Sequence, residues 1–244
     1  GARNTDLSVQ ATKPVIINQT NNNTGDVNSV VVGAGQTHLN VLGKDLGDAK
    51  FMEPAKEGPV AKLMTTPEGR REVFAKNYFN GGQKYGGYAR EGFRDFPNHE
   101  VLARKILAYK PASVLEIGCA RGYVLKRIQD AGIRANGLEI SKHCWLTRAC
   151  DGIIYKDVTE TPWPYKDHEF DLVYSQAFLE HVPESLLPNV IREMSRVAKR
   201  CVHGIDFGGH DDGFDKTHVT LRDKAFWVRL FSDHWKNCPE GGDS

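Results

Sequence analysis

Three acidic residues at regular intervals carry the strongest chemical signal in the chain. Glu116 sits at the end of the apolar run Val114-Leu-Glu-Ile117, which opens into Gly118-Cys-Ala-Arg-Gly122. Small residues at 118, 120 and 122 let a ligand approach the backbone and leave amides free to donate hydrogen bonds. A dinucleotide fingerprint reads G-x-G-x-x-G, whereas the spacing here is E-x-G-x-A-x-G. The carboxylate would repel a pyrophosphate but suits a cationic amino group. Glu139 ends the next β-prone stretch about 20 residues on, where a carboxylate can accept both hydroxyls of a ribose. Asp157 in Tyr155-Lys-Asp-Val158 is placed to accept from an exocyclic adenine amine, with Val158 over the ring. An amino-acid group, a ribose and an adenine are the three parts of S-adenosylmethionine.

These acids need a scaffold that presents successive strand ends to one ligand, and the pattern after Pro111 supplies it. Apolar strand stretches are expected at 113–117, 134–140, 152–155, 170–175 and 200–205. Helices are expected at 123–131, 142–149 and 186–198. Gly132 ends the first of these helices. Alternation of this kind predicts an α/β, doubly wound, Rossmann-like fold with a mostly parallel sheet. Upstream, Pro67 to Phe79 and the run from Asn98 to Lys110 read as helices. Between them Gly81-Gly-Gln-Lys-Tyr-Gly-Gly-Tyr88 reads as a loop carrying Tyr85 and Tyr88, able to close over a ligand.

Together the motifs resemble the class I S-adenosylmethionine-dependent methyltransferases over about residues 98 to 232. The resemblance rests on Glu116 to Gly122, Gly137-Leu-Glu-Ile-Ser141, Lys156-Asp-Val158, Phe170 to Pro183 and Ile191 to Val197. It implies S-adenosylmethionine as cofactor and a cofactor-binding set of Glu116, Gly118, Cys119, Ala120, Gly122, Tyr123, Glu139, Ile140, Asp157, Val158, Ser175 and Gln176. Ala120 stands where the family usually has its middle glycine. The stretch Asp215-Lys-Thr-His-Val-Thr220 looks like methyltransferases of glycan and sugar-nucleotide biosynthesis. That likeness puts His218 on the acceptor side, with His181 as the other candidate base for a small-molecule or glycan-like acceptor. Imidazole can accept a proton at neutral pH. The antiparallel strand pair that usually closes this fold at its C-terminus is missing or truncated, since Ser232 to Ser244 holds proline, two glycines and no β-branched run.

The rest of the sequence bounds the alternatives. The 244 residues suffice for one domain of ordinary size plus an extra segment. We divide them into a polar N-terminal arm (1–60), a helical cap with the Gly/Tyr loop (61–110) and the cofactor-binding domain (111–244). The arm holds only one aromatic residue, Phe51, and the run Asn18 to Asp26, but its β-prone pieces Val15-Ile-Ile17 and Val27 to Gly33 could form a hairpin or cover a sheet edge. Docking of the arm onto a larger particle, or homo-oligomerisation through it, is the competing expectation: a structural or assembly protein that keeps a methyltransferase fold. A net charge of +1 gives no field for nucleic acid. With no long apolar run, the chain is expected to be cytoplasmic and free of membranes. Five cysteines without a C-x-x-C pair argue against a disulfide framework, and Cys201, His203, His210, His218, His234 and Cys238 lack the paired spacing of structural zinc, so no metal is expected.

Overall fold

The computed structural model describes residues 15–19, 29–32, 58–82, 84–88, 92–206 and 215–235. Strands β1 (Val15–Gln19) and β2 (Ser29–Val32) come first, then the short helices α1 (Pro59–Met64), α2 (Pro67–Val73) and α3 (Lys76–Phe79). Next come α4 (Pro97–Ala108), β3 (Ser113–Ile117), α5 (Tyr123–Asp130), β4 (Arg134–Glu139), α6 (Lys142–Leu146) and β5 (Ile153–Tyr155). β6 (Phe170–Gln176), α7 (Leu187–Val197), β7 (Ala198–Ile205) and α8 (Lys224–Trp235) complete the order. The helix expected over 67–79 is two helices, because the backbone leaves helical geometry at Phe74 and Ala75.

The sheet has seven strands in the order β2-β1-β7-β6-β3-β4-β5. β3, β4, β5, β6 and β7 pair in parallel, with Glu116 beside Gly137 of β4 and Tyr174 of β6. Every residue of β3 is buried, as a parallel strand covered on both faces requires. One face packs Leu115, Ile117 and Val173 against Ile191 and Met194 of α7 and Trp227 and Phe231 of α8. The other packs Val114, Leu172 and Val202 against Ala103 and Ile106 of α4 and Leu125 and Ile128 of α5. The doubly wound architecture expected from the sequence is thus present. The chain runs outward from β3 through β4 to β5, then returns to place β6 on the other side of β3. In open α/β sheets a crevice forms at such a reversal, outside the carboxyl ends of the strands.

Among the described residues no strand follows β7. Its outer edge is covered from the other end of the chain: β1 lies parallel to β7, from Val15 beside Cys201 to Gln19 beside Ile205, and β2 pairs antiparallel with β1. Both β-prone pieces of the arm are therefore in the sheet, and the one directly on β7 is Val15–Gln19. Covering the edge removes a row of unpaired backbone groups that would otherwise template association. Deleting residues 1–57 is expected to lower stability by about 2 kcal/mol, from a handful of lost strand hydrogen bonds at their net worth, and to promote self-association. Sedimentation and thermal melting of the truncated chain check this; a monomer with an unchanged midpoint would refute it.

Candidate functional site

The site is built from the loops that follow β3, β4, β5 and β6. Gly118 leaves β3 with φ 67°, a conformation open to glycine, and a Cβ there would collide with the ring of Phe178 from the loop after β6. Ala120 also adopts a left-handed conformation, φ 48°, at a cost of roughly 1–2 kcal/mol for a residue with a side chain. Its N–H is tied down by Glu139, whose Oε2 accepts from Ala120 N at 2.7 Å while Oε1 accepts from Ser141 N at 2.6 Å. One carboxylate thus joins the turn after β3 to the end of β4. Burial raises the Glu139 pKa to about 7, against the pull of those backbone donors.

Glu116 is buried beside Tyr174 of β6, whose hydroxyl interacts with its carboxyl. Burial pushes the Glu116 pKa up to about 8, against the pull of that hydroxyl. A cationic group beside this carboxyl would draw its pKa down again.

Asp157 is engaged by the cap. Arg70 of α2 donates from Nε to Asp157 Oδ2 at 2.8 Å, from Nη1 to Met64 O at 2.7 Å and from Nη2 to Thr159 Oγ1 at 2.6 Å. Asp157 Oδ1 accepts from Thr159 N at 2.9 Å and Thr159 Oγ1 at 2.8 Å. Pro67 at the first turn and Thr66, whose hydroxyl accepts from Gly69 N at 3.1 Å, start the helix that delivers Arg70.

A narrow cleft, partly open to solvent, lies between these loops. Of the residues predicted from sequence, Gly118, Ile140, Asp157, Val158 and His181 line it; Arg70, Phe74, Lys156, Thr159, Phe178 and Val182 line it as well. Phe178 and Val182 fall inside the quoted Phe170 to Pro183 motif, so position in that motif could have found them. Arg70 had no such signal, because a helix sequence does not say where the helix docks.

The other predicted residues lie off the cleft. Cys119 is buried beneath Gly137, where a Cβ would strike its sulfur. Gly122 precedes α5, and Tyr123 stacks on His99 with ring centroids 5.5 Å apart. Ser175 Oγ and His203 Nδ1 are 2.8 Å apart within the β6–β7 pair, and Gln176 covers Gly204. The two loop tyrosines are occupied elsewhere: the Tyr85 hydroxyl donates to Glu72 Oε1 at 2.8 Å, and Tyr88 packs among Tyr78, Phe79, Phe93 and Phe96. Of the two, Tyr88 belongs to an aromatic cluster of the cap, and Lys84 lies over the ring of Tyr85.

His181 and His218 do come together. Their ring centroids are 4.6 Å apart at 65°. The Thr217 hydroxyl donates to Asp215 Oδ1 at 2.6 Å and lies 2.8 Å from His181 Nδ1, so this nitrogen carries the proton that Thr217 receives, a tautomer assigned from the network. The Tyr78 hydroxyl donates to the other Asp215 oxygen at 2.7 Å. Burial, then His218, lowers the His181 pKa to about 4, leaving a neutral imidazole at pH 7. Of the six residues of the zinc alternative, Cys201 and His203 are buried in β7, and His210 and Cys238 lie outside the described residues.

The titratable groups set a pH profile. Glu116 and Glu139 bind protons more tightly folded than at their ordinary value of 4.5, so their contribution is complete below pH 4.5 and lost as pH rises towards 8. His181 and His203, lowered to about 4 and about 3, act oppositely and weaken the fold as pH falls below 6.5. Between pH 6.5 and 8 only the carboxyls titrate among these four. Glu116→Gln should flatten that limb by about 2 kcal/mol, one and a half pH units at 1.36 kcal/mol each. Thermal melts of both proteins without ligand check it; parallel profiles would refute it.

Residues 115–202 match the model of a methyltransferase domain. No curated protein matches the chain at a significant level. Among solved structures, the chain is similar to the magnesium protoporphyrin IX methyltransferase of Synechocystis PCC 6803 with bound S-adenosylmethionine, at 15% identity over 68% of this chain and 83% of that one, TM-score 0.49. It is also similar to an S-adenosylmethionine-dependent methyltransferase from Archaeoglobus fulgidus, at 20% identity over 55% and 67%, TM-score 0.45. These loose likenesses add nothing to the reading, which rests on the domain match and the chain's own geometry. The parallel strands β4 to β6 and the glycine turn after β3 lie within the matched residues, and S-adenosylmethionine is the cofactor that this domain match implies.

Proposed function

We propose that the protein transfers a methyl group from S-adenosylmethionine to an oxygen or nitrogen of a small-molecule or glycan-like acceptor. S-adenosylmethionine supplies a methyl group on a positively charged sulfur. Glu116 and the turn at Gly118 hold the amino-acid end, Glu139 and Ile140 the ribose, and Asp157 and Val158 the adenine, while Tyr123, Ser175 and Gln176, engaged with His99, His203 and Gly204, support these residues from outside the cleft. Binding requires Arg70 to share Asp157 with the base, since both Asp157 oxygens already accept hydrogen bonds. His218 and His181 lie on the acceptor side, where a neutral imidazole takes the acceptor's proton as its lone pair attacks the methyl carbon and the carbon–sulfur electron pair returns to sulfur. The protein otherwise contributes proximity and orientation.

The observation that carries the reading is the pairing of His181 with His218 beside a cleft that also holds Gly118, Asp157 and Val158. A docking role for the arm finds less support, since two pieces of that arm are strands of the sheet itself. Titration calorimetry with S-adenosylmethionine tests the reading. Glu139→Ala should weaken binding by about 1–3 kcal/mol, the worth of hydrogen bonds to a charged acceptor. An unchanged dissociation constant would remove Glu139 from the ribose site, and absence of binding to the unmodified chain would remove the function.

A further inference from the structure

Beside the cleft, Glu180, His181 and His218 each present one ligand atom, all within 4.8 Å of one another. We propose that these residues bind a divalent transition-metal ion. The argument starts with Glu180. Its side chain is 0% exposed, its Oε2 has no hydrogen-bond partner within geometric limits, Oε1 accepts a long bond, 3.3 Å, from Asp206 N, and its own backbone N–H also interacts with the carboxylate. Buried carboxylates are ordinarily paired with a cation or bound to a metal, and the side chains drawn up to this one are two imidazoles.

Their positions are fixed by backbone. Val219 N and Thr220 N both donate to Glu180 O, at 3.0 and 2.9 Å, which pins the His218 segment against the residue preceding His181. The Thr220 hydroxyl adds a bond of 2.7 Å to Val182 O. Thr217 and Asp215 orient His181 through Nδ1, the outer-shell arrangement typical of metal-bound histidine. Ligand atoms about 2.1 Å from one ion lie roughly 3–3.5 Å apart, so small side-chain rotations close the cluster.

Two imidazole nitrogens and one carboxylate oxygen suit iron(II), manganese, cobalt or zinc better than magnesium, which favours oxygen throughout, and three protein ligands leave coordination positions open. His181 lines the cleft, so those positions face the space assigned to the acceptor. A bound ion would hold acceptor oxygens there, using the imidazole lone pairs that the base role would need. The site stands on its own geometry; only the ion's role towards the acceptor rests on the methyl-transfer reading.

The test uses the full chain, freed of metal by chelator, titrated with Co²⁺ followed by visible absorption and with Mn²⁺ followed by loss of the free-ion electron paramagnetic resonance signal. One ion per chain is expected, with affinity lowered at least tenfold by Glu180→Gln and by His218→Asn in proteins whose circular dichroism and S-adenosylmethionine binding are retained. If Glu180→Gln fails to fold, His218→Asn alone decides, because that side chain is partly exposed. Equal affinity in the unmodified chain and the variants overturns the site. Turnover that persists in excess chelator, with no ion bound, overturns the ion's role towards the acceptor and not the site itself. An ion held by these residues in a protein that methylates no oxygen or nitrogen acceptor supports the site and removes the acceptor reading instead.

Discussion

Replacing His218 with asparagine is expected to lower turnover by about 10²–10⁴-fold, the usual contribution of a positioned proton acceptor, while changing the dissociation constant of S-adenosylmethionine less than twofold. The split follows from placement. His218 is held by Val219 and Thr220 on the Glu180 carbonyl and meets the His181 ring edge to face, whereas the glycine turn and Glu139 belong to β3 and β4. A base role adds a second signature: the residual activity of the variant should climb with pH as acceptor ionises unaided. Equal losses in turnover and cofactor affinity would mean that His218 holds the fold. A loss seen only in His181→Asn would move the base to that residue, whose Nδ1 already faces Thr217.

How much of this was legible in the sequence depends on whether a feature is local. The strand to turn to helix passage at Val114 to Tyr123 is written in consecutive residues, and β3, the turn and α5 lie where the pattern put them. Acids at strand ends were legible for the same reason, since parallel strands bring their carboxyl ends to one edge. The partners those acids find were not. Nothing near Asp157 announces Arg70, which is 87 residues away in sequence, and nothing near Glu139 announces that both its oxygens would be used by backbone amides. The His181 and His218 pair is legible only as two separate candidates, since 37 positions separate them in sequence and no local pattern announces their contact. Glu180 carries no signal of its own in the sequence, because one acid before a histidine is ordinary, and only its complete burial makes it chemical.

The sheet edge shows the opposite case. The C-terminal tail lacks β-forming residues, which correctly predicts that no closing pair follows β7 among the described residues. The replacement comes from the arm, whose polar composition hides two short β-prone pieces. Such pieces pair wherever an edge with unmatched backbone groups is offered, and composition cannot name that edge in advance.

Replacing Asp157 with alanine is expected to destabilise the protein by about 3–5 kcal/mol, the cost of leaving a buried charge without its partner. Arg70 and Asp157 are 5% and 2% exposed, so water cannot substitute for the lost carboxylate, and Met64 O and Thr159 Oγ1 satisfy only part of the guanidinium. For a chain of this size the midpoint should fall by roughly 6–20 °C. Removing both charges with Arg70→Met and Asp157→Leu should recover much of the loss, because apolar groups of similar volume can replace a buried pair at little cost. The same double change separates fold from function: if Asp157 also receives the adenine amine, the rescued protein melts nearly normally yet binds S-adenosylmethionine more weakly. Unimpaired affinity in the double variant would show that Asp157 serves only to clasp the cap, and the adenine contact would have to pass to Val158 and the backbone around it. A single Asp157→Ala variant that melts like the unmodified chain would show that the Arg70 charge finds other compensation, and the clasp itself would then be refuted.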